Sequence, residues 1–456
     1  MILSEKHKHF LHRAAFGPGI ADLRNDIDIA DLMVGSSGKQ SIDIVVRPQS
    51  KDVKTDAGQR KELIQAARKQ VFALNAAWVH QLVSPDIRAR EKLTFFWHDH
   101  FACRVRAPFL IQQQNNVLRD HALGDFASLL MSVSKDPAML QFLNNQQNRK
   151  NSPNENFARE VLELFTLGHG YYNESDIRNA ARAFTGWSFN VMTGSFDFRE
   201  RAHDDGMKEF KGKRGTFSGE DIIAIILEDP RTAQFITEKL WDFYVGDPDA
   251  TIINSLSREF FNSNYNIGQL LDVIFSSEWF YASQYRGNRI KSPVELIAGL
   301  MTQTGGTFQN AQSSLYIQRA LSQVLFFPPN VGGWPSGTSW IDSSSLAFRL
   351  ALPALLLRNS ETDIDLKDDG DVNNIINEAT SKKLDFRVDW ELIAHTFSRH
   401  NEQETLDVLE YYLLARETSK ANKRIVQKFA GKGENDTVFF KKAFTAFMSL
   451  PEYQLC

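Results

Sequence analysis

Cysteine is almost missing from this 456-residue chain. The two present, Cys103 and Cys456, cannot make a disulfide framework, and so sparse a use of the residue leans toward a reducing compartment. Long apolar runs are missing as well, and no stretch approaches the ~18 residues that a membrane span requires. Neither charge sign dominates. Lys+Arg number 52 against 56 Asp+Glu, a formal net charge of -4, so there is no overall electrostatic case for nucleic acid or anionic lipid. The first residues, MILSEKHKHFLHRAAFGPG, are basic but contain no apolar core of the kind a secretory leader carries. A cytoplasmic protein is therefore expected, with a periplasmic location, or export beside a signal-bearing partner, as the alternative. Phosphate-cradling glycine loops, a nucleophile elbow and a calcium loop are also lacking.

What is present is ordinary for a folded protein: 42% hydrophobic and 24% charged residues, enough chain for roughly two or three domains. Helical periodicity dominates. Ser4 can cap a short helix through His12 that Gly17-Pro18-Gly19 ends, and a long helix is predicted over 61–83. The segment 90–102 places Leu93, Phe96, Trp97 and Phe101 on one apolar stripe. Further helices are predicted from 109 to 358, one of them over 312–326, and, in the last quarter, near 373–381, 389–399, 402–417, 419–431 and 436–449. Strand signals are scarce: SIDIVV at 41–46, and a glycine-punctuated hairpin excursion near 189–215. The fold class expected is mainly α, a multi-helix bundle-like body with that small β excursion. Residues 1–358 would form the main body, the acidic 359–372 a linker and 373–456 a C-terminal helical region. Residues 34–60 also read as a surface linker.

Three segments carry candidate chemistry. In the first, Ser152-Pro153-Asn154-Glu155 reads as a capping box. The helix after it aligns Asn156, Arg159, Glu160 and Glu163 at i, i+3, i+4 and i+7, beside an apolar stripe. The next helix offers Arg178 and Arg182 one turn apart. Two carboxylates held by arginines at the lip of a pocket suit acid–base work or a metal, although ion-paired surface stripes look the same. In the second segment, His98-Asp99-His100, the two imidazoles lie about 200° apart on a helix. They can meet one ligand only if the helix ends there, and a histidine on an apolar stripe is more often a hydrogen-bonded core residue. The third is His203-Asp204 in the hairpin region, residue types that bind divalent metals but are also common in turns. Lys208, Lys211, Lys213 and Arg214 form a small basic patch around Phe210, suited to a phosphate or simply to a solvated hairpin tip. Trp334 and Trp340, on the Pro/Gly scaffold of 328–340, offer an aromatic wall.

Several blocks together resemble the bacterial "domain of unknown function 1800" family: HFLHRAAFGPG (9–19), KLTFFWHDHFA (92–102), NRKNSPNENFAREVLELFTLG (148–168), ESDIRNAARAFTGW (174–187) and LFFPPNVGGWPSGTSWIDSSSLAFRL (325–350). The resemblance implies a largely helical protein, often exported and often encoded beside a sulfatase/phosphatase-like protein of the "domain of unknown function 1501" group, which it makes the expected partner. It carries over no activity. His169 stands where an apolar residue is expected in the LG-x-G turn, so it is not treated as a shared site residue.

A helical body would not bury so many charges without use for them, because each unpaired ion costs several kcal/mol. One polar pocket is therefore expected. Glu160 and Glu163 would work as acid and base, Arg159 or Arg182 would steady an anion, Asn156 would stand with them in the catalytic set, and Trp187 and Trp334 would face the substrate. His98, Asp99, His100, His203 and Asp204 would hold a divalent metal ion. The reading is a hydrolase-type enzyme; the alternative is a non-enzymatic binding or assembly factor for the sulfatase/phosphatase-like partner.

Overall fold

The computed structural model describes residues 3–23, 40–47, 57–358, 384–397, 401–431 and 435–456. Helices dominate, and the sheets among the described residues are three two-stranded antiparallel pairs. The mainly α expectation with a small β excursion is what is seen. The excursion holds two hairpins, not one: Trp187–Asn190 with Ser195–Phe198, and Lys208–Phe210 with Lys213–Gly215. No helix among the described residues is long and apolar enough to cross a membrane.

Caps set many helix starts. Ser4 accepts the His7 N–H and opens Glu5–Ala14. Ser292, Pro293 and Glu295 make a complete capping box for Pro293–Thr304. The box expected at Ser152–Glu155 does not form. Ser152 is instead tied back to Arg149, the Asn154 carboxamide accepts the Asn156 N–H at 3.0 Å, and the helix begins at Asn156. Two other expectations change. SIDIVV is not a strand: the N–H of Ile42 goes to Asn116 Oδ1, and those of Ile44 and Val45 go to Gln112 Oε1. Side-chain amides of the Pro108–His121 helix satisfy this backbone, so it needs no strand partner. The helix through 312–326 stops at Ala320, and Ser322 and Phe326 then take positive φ. The helix near 373–381 and the 359–372 linker lie outside the described residues.

Two apolar clusters organise the packing. One gathers Phe10, Leu93, Trp97, Phe126, Phe157, Trp187 and Ile236; the other gathers Trp78, Phe95, Leu296, Ile317, Leu352, Leu409 and Phe440. Residues from the 401–456 stretch thus share a cluster with residues near 78, 296 and 352. The Arg88–His100 helix contributes to both clusters and is buried nearly all round, its charged residues included. Arg88 pairs with Asp22 at 2.5 Å and Arg119 with Glu91 at 2.5 Å, so those buried ions are compensated. The position of this helix decides where the His98-Asp99-His100 triplet points.

Candidate functional site

The 200° between His98 and His100 sends each imidazole into a different apolar environment. His98 lies against Trp78 and Phe326, with ring centroids 4.9 and 5.2 Å away, and its Nε2 accepts the Phe326 N–H at 3.1 Å. His100 lies among Phe96, Phe101 and Phe165, and its Nε2 donates to the Phe165 carbonyl at 3.2 Å. That carbonyl belongs to a π-helical turn, Val161–Thr166, that continues the Asn156–Glu160 helix. Burial pushes both histidines down to about 3, so they are neutral at ordinary pH.

Asp99, between them, faces a cleft of about 380 Å³. The walls come from the end of the Arg88–His100 helix, from Lys239, Asp242 and Asp247 at the end of the Pro230–Tyr244 helix, from Asn288 and Arg289, and from Trp334 to Trp340. The Trp334 N–H donates to Asp99 Oδ1 at 2.8 Å. Gly333 makes that approach possible. Its φ is +80°, and a side-chain carbon there would lie 2.2 Å from Asp99 Oδ1. Burial lifts the Asp99 carboxyl to about 6, against the opposing pull of the Trp334 amide and the Lys239 charge. His100 lines the same cleft.

Beneath the cleft lies a charged floor. Buried Glu295 accepts from Lys92 at 2.8 Å, from Arg289 at 3.2 Å and from the Ser292 N–H at 2.8 Å. Burial alone would raise its carboxyl, but Arg289 and Lys92 outweigh this and hold it far below the usual range. Lys92 also donates to the Ala15 carbonyl at 2.7 Å, which fixes the N-terminal helix onto this floor. At the rim, Asn288 Nδ2 donates to Asp247 Oδ2 at 3.2 Å.

The remaining candidates do not join this cleft. Asn156 and Glu160 line a separate groove with Arg68, Arg104 and Arg106. Glu163 accepts from the Tyr172 hydroxyl at 2.5 Å and from His169 Nε2 at 2.7 Å, while Arg159 pairs on the surface with Glu155 and Glu174. The stripe expected to act together is thus divided among three sets of partners. Arg182 grips Asp204 with two nitrogens, at 2.7 and 3.2 Å, and also donates to the Met207 carbonyl. His203 Nδ1 donates to the Thr185 carbonyl at 2.8 Å, so this pair knots the second hairpin to the Glu174–Ala183 helix.

The five expected metal ligands therefore do not converge, because the imidazoles and Asp204 are spent on local partners. Among the described residues no group of three or more His, Cys, Asp or Glu side chains is placed to hold a metal ion. Trp187 is 1% exposed, enclosed by Phe157, Phe184 and Phe196, and so is a core residue and not a substrate wall. Three of the four cations of the basic patch are paired, Lys211 with Asp229, Lys213 with Glu228 and Arg214 with Glu209, while buried Lys208 donates to the Asp204 and Gly206 carbonyls. Both cysteines are free and buried.

Sequence reasoning missed Lys239, Asp242, Asp247, Asn288, Arg289 and Glu295. Of these only Glu295 carried a local signal, the S-P-x-E cap, and that signal announces a helix start and not a site.

No curated protein and no solved structure matches the chain. A family model described as "Protein of unknown function (DUF1800)" matches residues 9–455, nearly the whole length. With that coverage, the chain belongs to the DUF1800 family.

Proposed function

We propose that the protein is a hydrolase-type enzyme whose site is the polar cleft headed by Asp99. One observation carries the reading: a half-buried carboxyl, raised to about 6, stands at the wall of an open cleft within reach of water. An acid poised there is protonated in a useful fraction near neutrality and can give its proton to a leaving group. Asp242 and Asp247 line the same cleft, and either supplies a carboxylate to receive a proton from attacking water. Arg289, anchored on Glu295, stands ready for negative charge that develops on the substrate. Trp334 and Trp340 give an apolar wall beside these groups, the mix of surfaces usual in small-molecule sites of ~300–1,000 Å³.

The non-enzymatic alternative, a binding or assembly factor for a sulfatase/phosphatase-like partner, finds support in the Arg182–Asp204–His203 knot. That network satisfies its own members and reads as architecture. The Asp99 cleft argues for chemistry because its acid is left in an uncomfortable state beside open volume.

The test is a panel of chromogenic glycosides, esters and phosphate esters, run with the wild type and with Asp99→Asn. Hydrolysis of one class that falls at least about a hundredfold in a normally folded Asp99→Asn protein supports the reading. Hydrolysis that survives the substitution refutes the role of Asp99.

A further inference from the structure

The 327–340 loop has two faces of interest. Its second half walls the cleft, while its first half, Phe327 to Val331, lines a groove of about 660 Å³. The groove is independent of the catalytic reading and uses none of its residues. One side is a single face of the long Ala57–Leu82 helix, where Ile64, Ala67, Arg68 and Val71 recur at helical spacing. The opposite side brings Asn156 and Glu160, the part of the NENFARE block left without a role above.

Two properties of this groove need an occupant. The first is apolar surface left open: Ile64 is 50% exposed although Val71, a turn or two away on the same face, is buried. The second is charge. Arg68 and Arg106, both lining the groove, have no carboxylate partner among the described residues. Glu160 on the far wall has no hydrogen-bond partner among the described residues either. Burial and the nearby Glu163 raise its carboxyl above the ordinary glutamate range. A lining of valine, proline and phenylalanine together with arginine guanidinium groups complements a molecule with an apolar body and one anionic head.

We infer that this groove is a second binding site, for a carboxylate amphiphile: a medium-chain alkyl or aryl carboxylic acid. Its head is paired by Arg68 and Arg106, and its body lies along Ile64, Val71 and Phe327. The groove's volume matches that of small-molecule sites, and its lining has both elements such a ligand needs.

Calorimetric titration of the intact protein with decanoate, below its micellar range, tests the inference. Saturable binding at one site per chain is expected. Arg68→Ala with Arg106→Ala should weaken it at least about tenfold, because each removes a charge-assisted contact. Decyltrimethylammonium, with the same chain and the opposite charge, should not bind. Ile64 and Arg106 are exposed, so Ile64→Asp and Arg106→Ala are variants that leave the core untouched. Ile64→Asp alone should also abolish decanoate binding. Failure of the wild type to bind decanoate saturably, equal binding of the cationic analogue, or a double variant within twofold of wild type would each overturn the site. Asp99→Asn should bind decanoate as the wild type does, which separates this result from the fate of the cleft.

Discussion

Replacing Asp99 by Asn should make the protein more stable at pH 8 while silencing it. The carboxamide has nearly the carboxyl's shape, and its oxygen can still accept the Trp334 N–H now bound at 2.8 Å. What disappears is the cost of holding a charge away from water. Burial moves the carboxyl from 3.8 to about 6. At about 1.4 kcal/mol per tenfold change, this corresponds to about 3 kcal/mol, and the half-open setting discounts it to roughly 1–3 kcal/mol. The sign follows from linkage. An acid whose folded pKa is raised leaves stability untouched below its unfolded value of 3.8, lowers it progressively as pH climbs to about 6, and has no further effect above that. The gain in Asp99→Asn should therefore be near zero at pH 4, grow across pH 4–6 and level off above pH 7. Thermal unfolding by calorimetry at half-unit pH steps would read it as a rise of a few degrees at pH 8. A variant less stable than wild type at pH 8, or a difference that does not change with pH, would show that Asp99 is not held in a strained ionised state.

Other substitutions probe the surroundings. Glu295→Gln should lower stability by about 3–5 kcal/mol, since Lys92 and Arg289 lose their buried counter-ion, and adding Lys92→Met should restore part of it; denaturant unfolding of the three proteins decides this. Gly333→Ala should cost about 2–4 kcal/mol, from a positive-φ backbone and a contact with Asp99, and should weaken any hydrolysis more than Gly332→Ala does. Below pH 6.5 unfolding should become easier by roughly 1–1.4 kcal/mol per pH unit for each of His98 and His100. Their folded values of about 3 mean that their contribution is complete above 6.5 and lost as pH falls toward 3, so His98→Asn should flatten that slope in acid titrations followed by circular dichroism. Arg182→Ala should destabilise by about 1–2 kcal/mol yet leave the cleft's activity unchanged, as a structural knot requires.

Local structure was legible where the chain states its own boundaries. Ser4 is visible as a cap, and the angle between His98 and His100 follows from helix geometry alone. SIDIVV misleads because its β-like composition says nothing about Gln112 and Asn116, 68 and 74 residues away from the groups they bind, which take its hydrogen bonds. The site was legible only in part for the same reason. Asp99 and Trp334 were singled out and do meet, but they do so across 235 positions of chain, and no spacing rule joins them. The Asn156–Glu163 stripe looked like a unit because an unbroken helix would keep it on one face. The π turn beginning at Val161 interrupts that helix, and Glu163 goes to Tyr172 and His169 instead. Arg182 was assigned to an anion because its own partner, Asp204, lies 22 residues on, in the connection between the two hairpins. Lys239, Asp242 and Asp247 resemble any helix end until tertiary packing turns them toward Asp99.

Carbon-detected NMR of protein labelled at aspartate carboxyls, with Asp99→Asn used to assign the signal, tests the poised acid most directly. A carboxyl at position 99 that titrates near pH 6 is expected. One that titrates near 4, as an ordinary exposed aspartate does, would contradict the claim that the cleft holds a proton donor for hydrolysis.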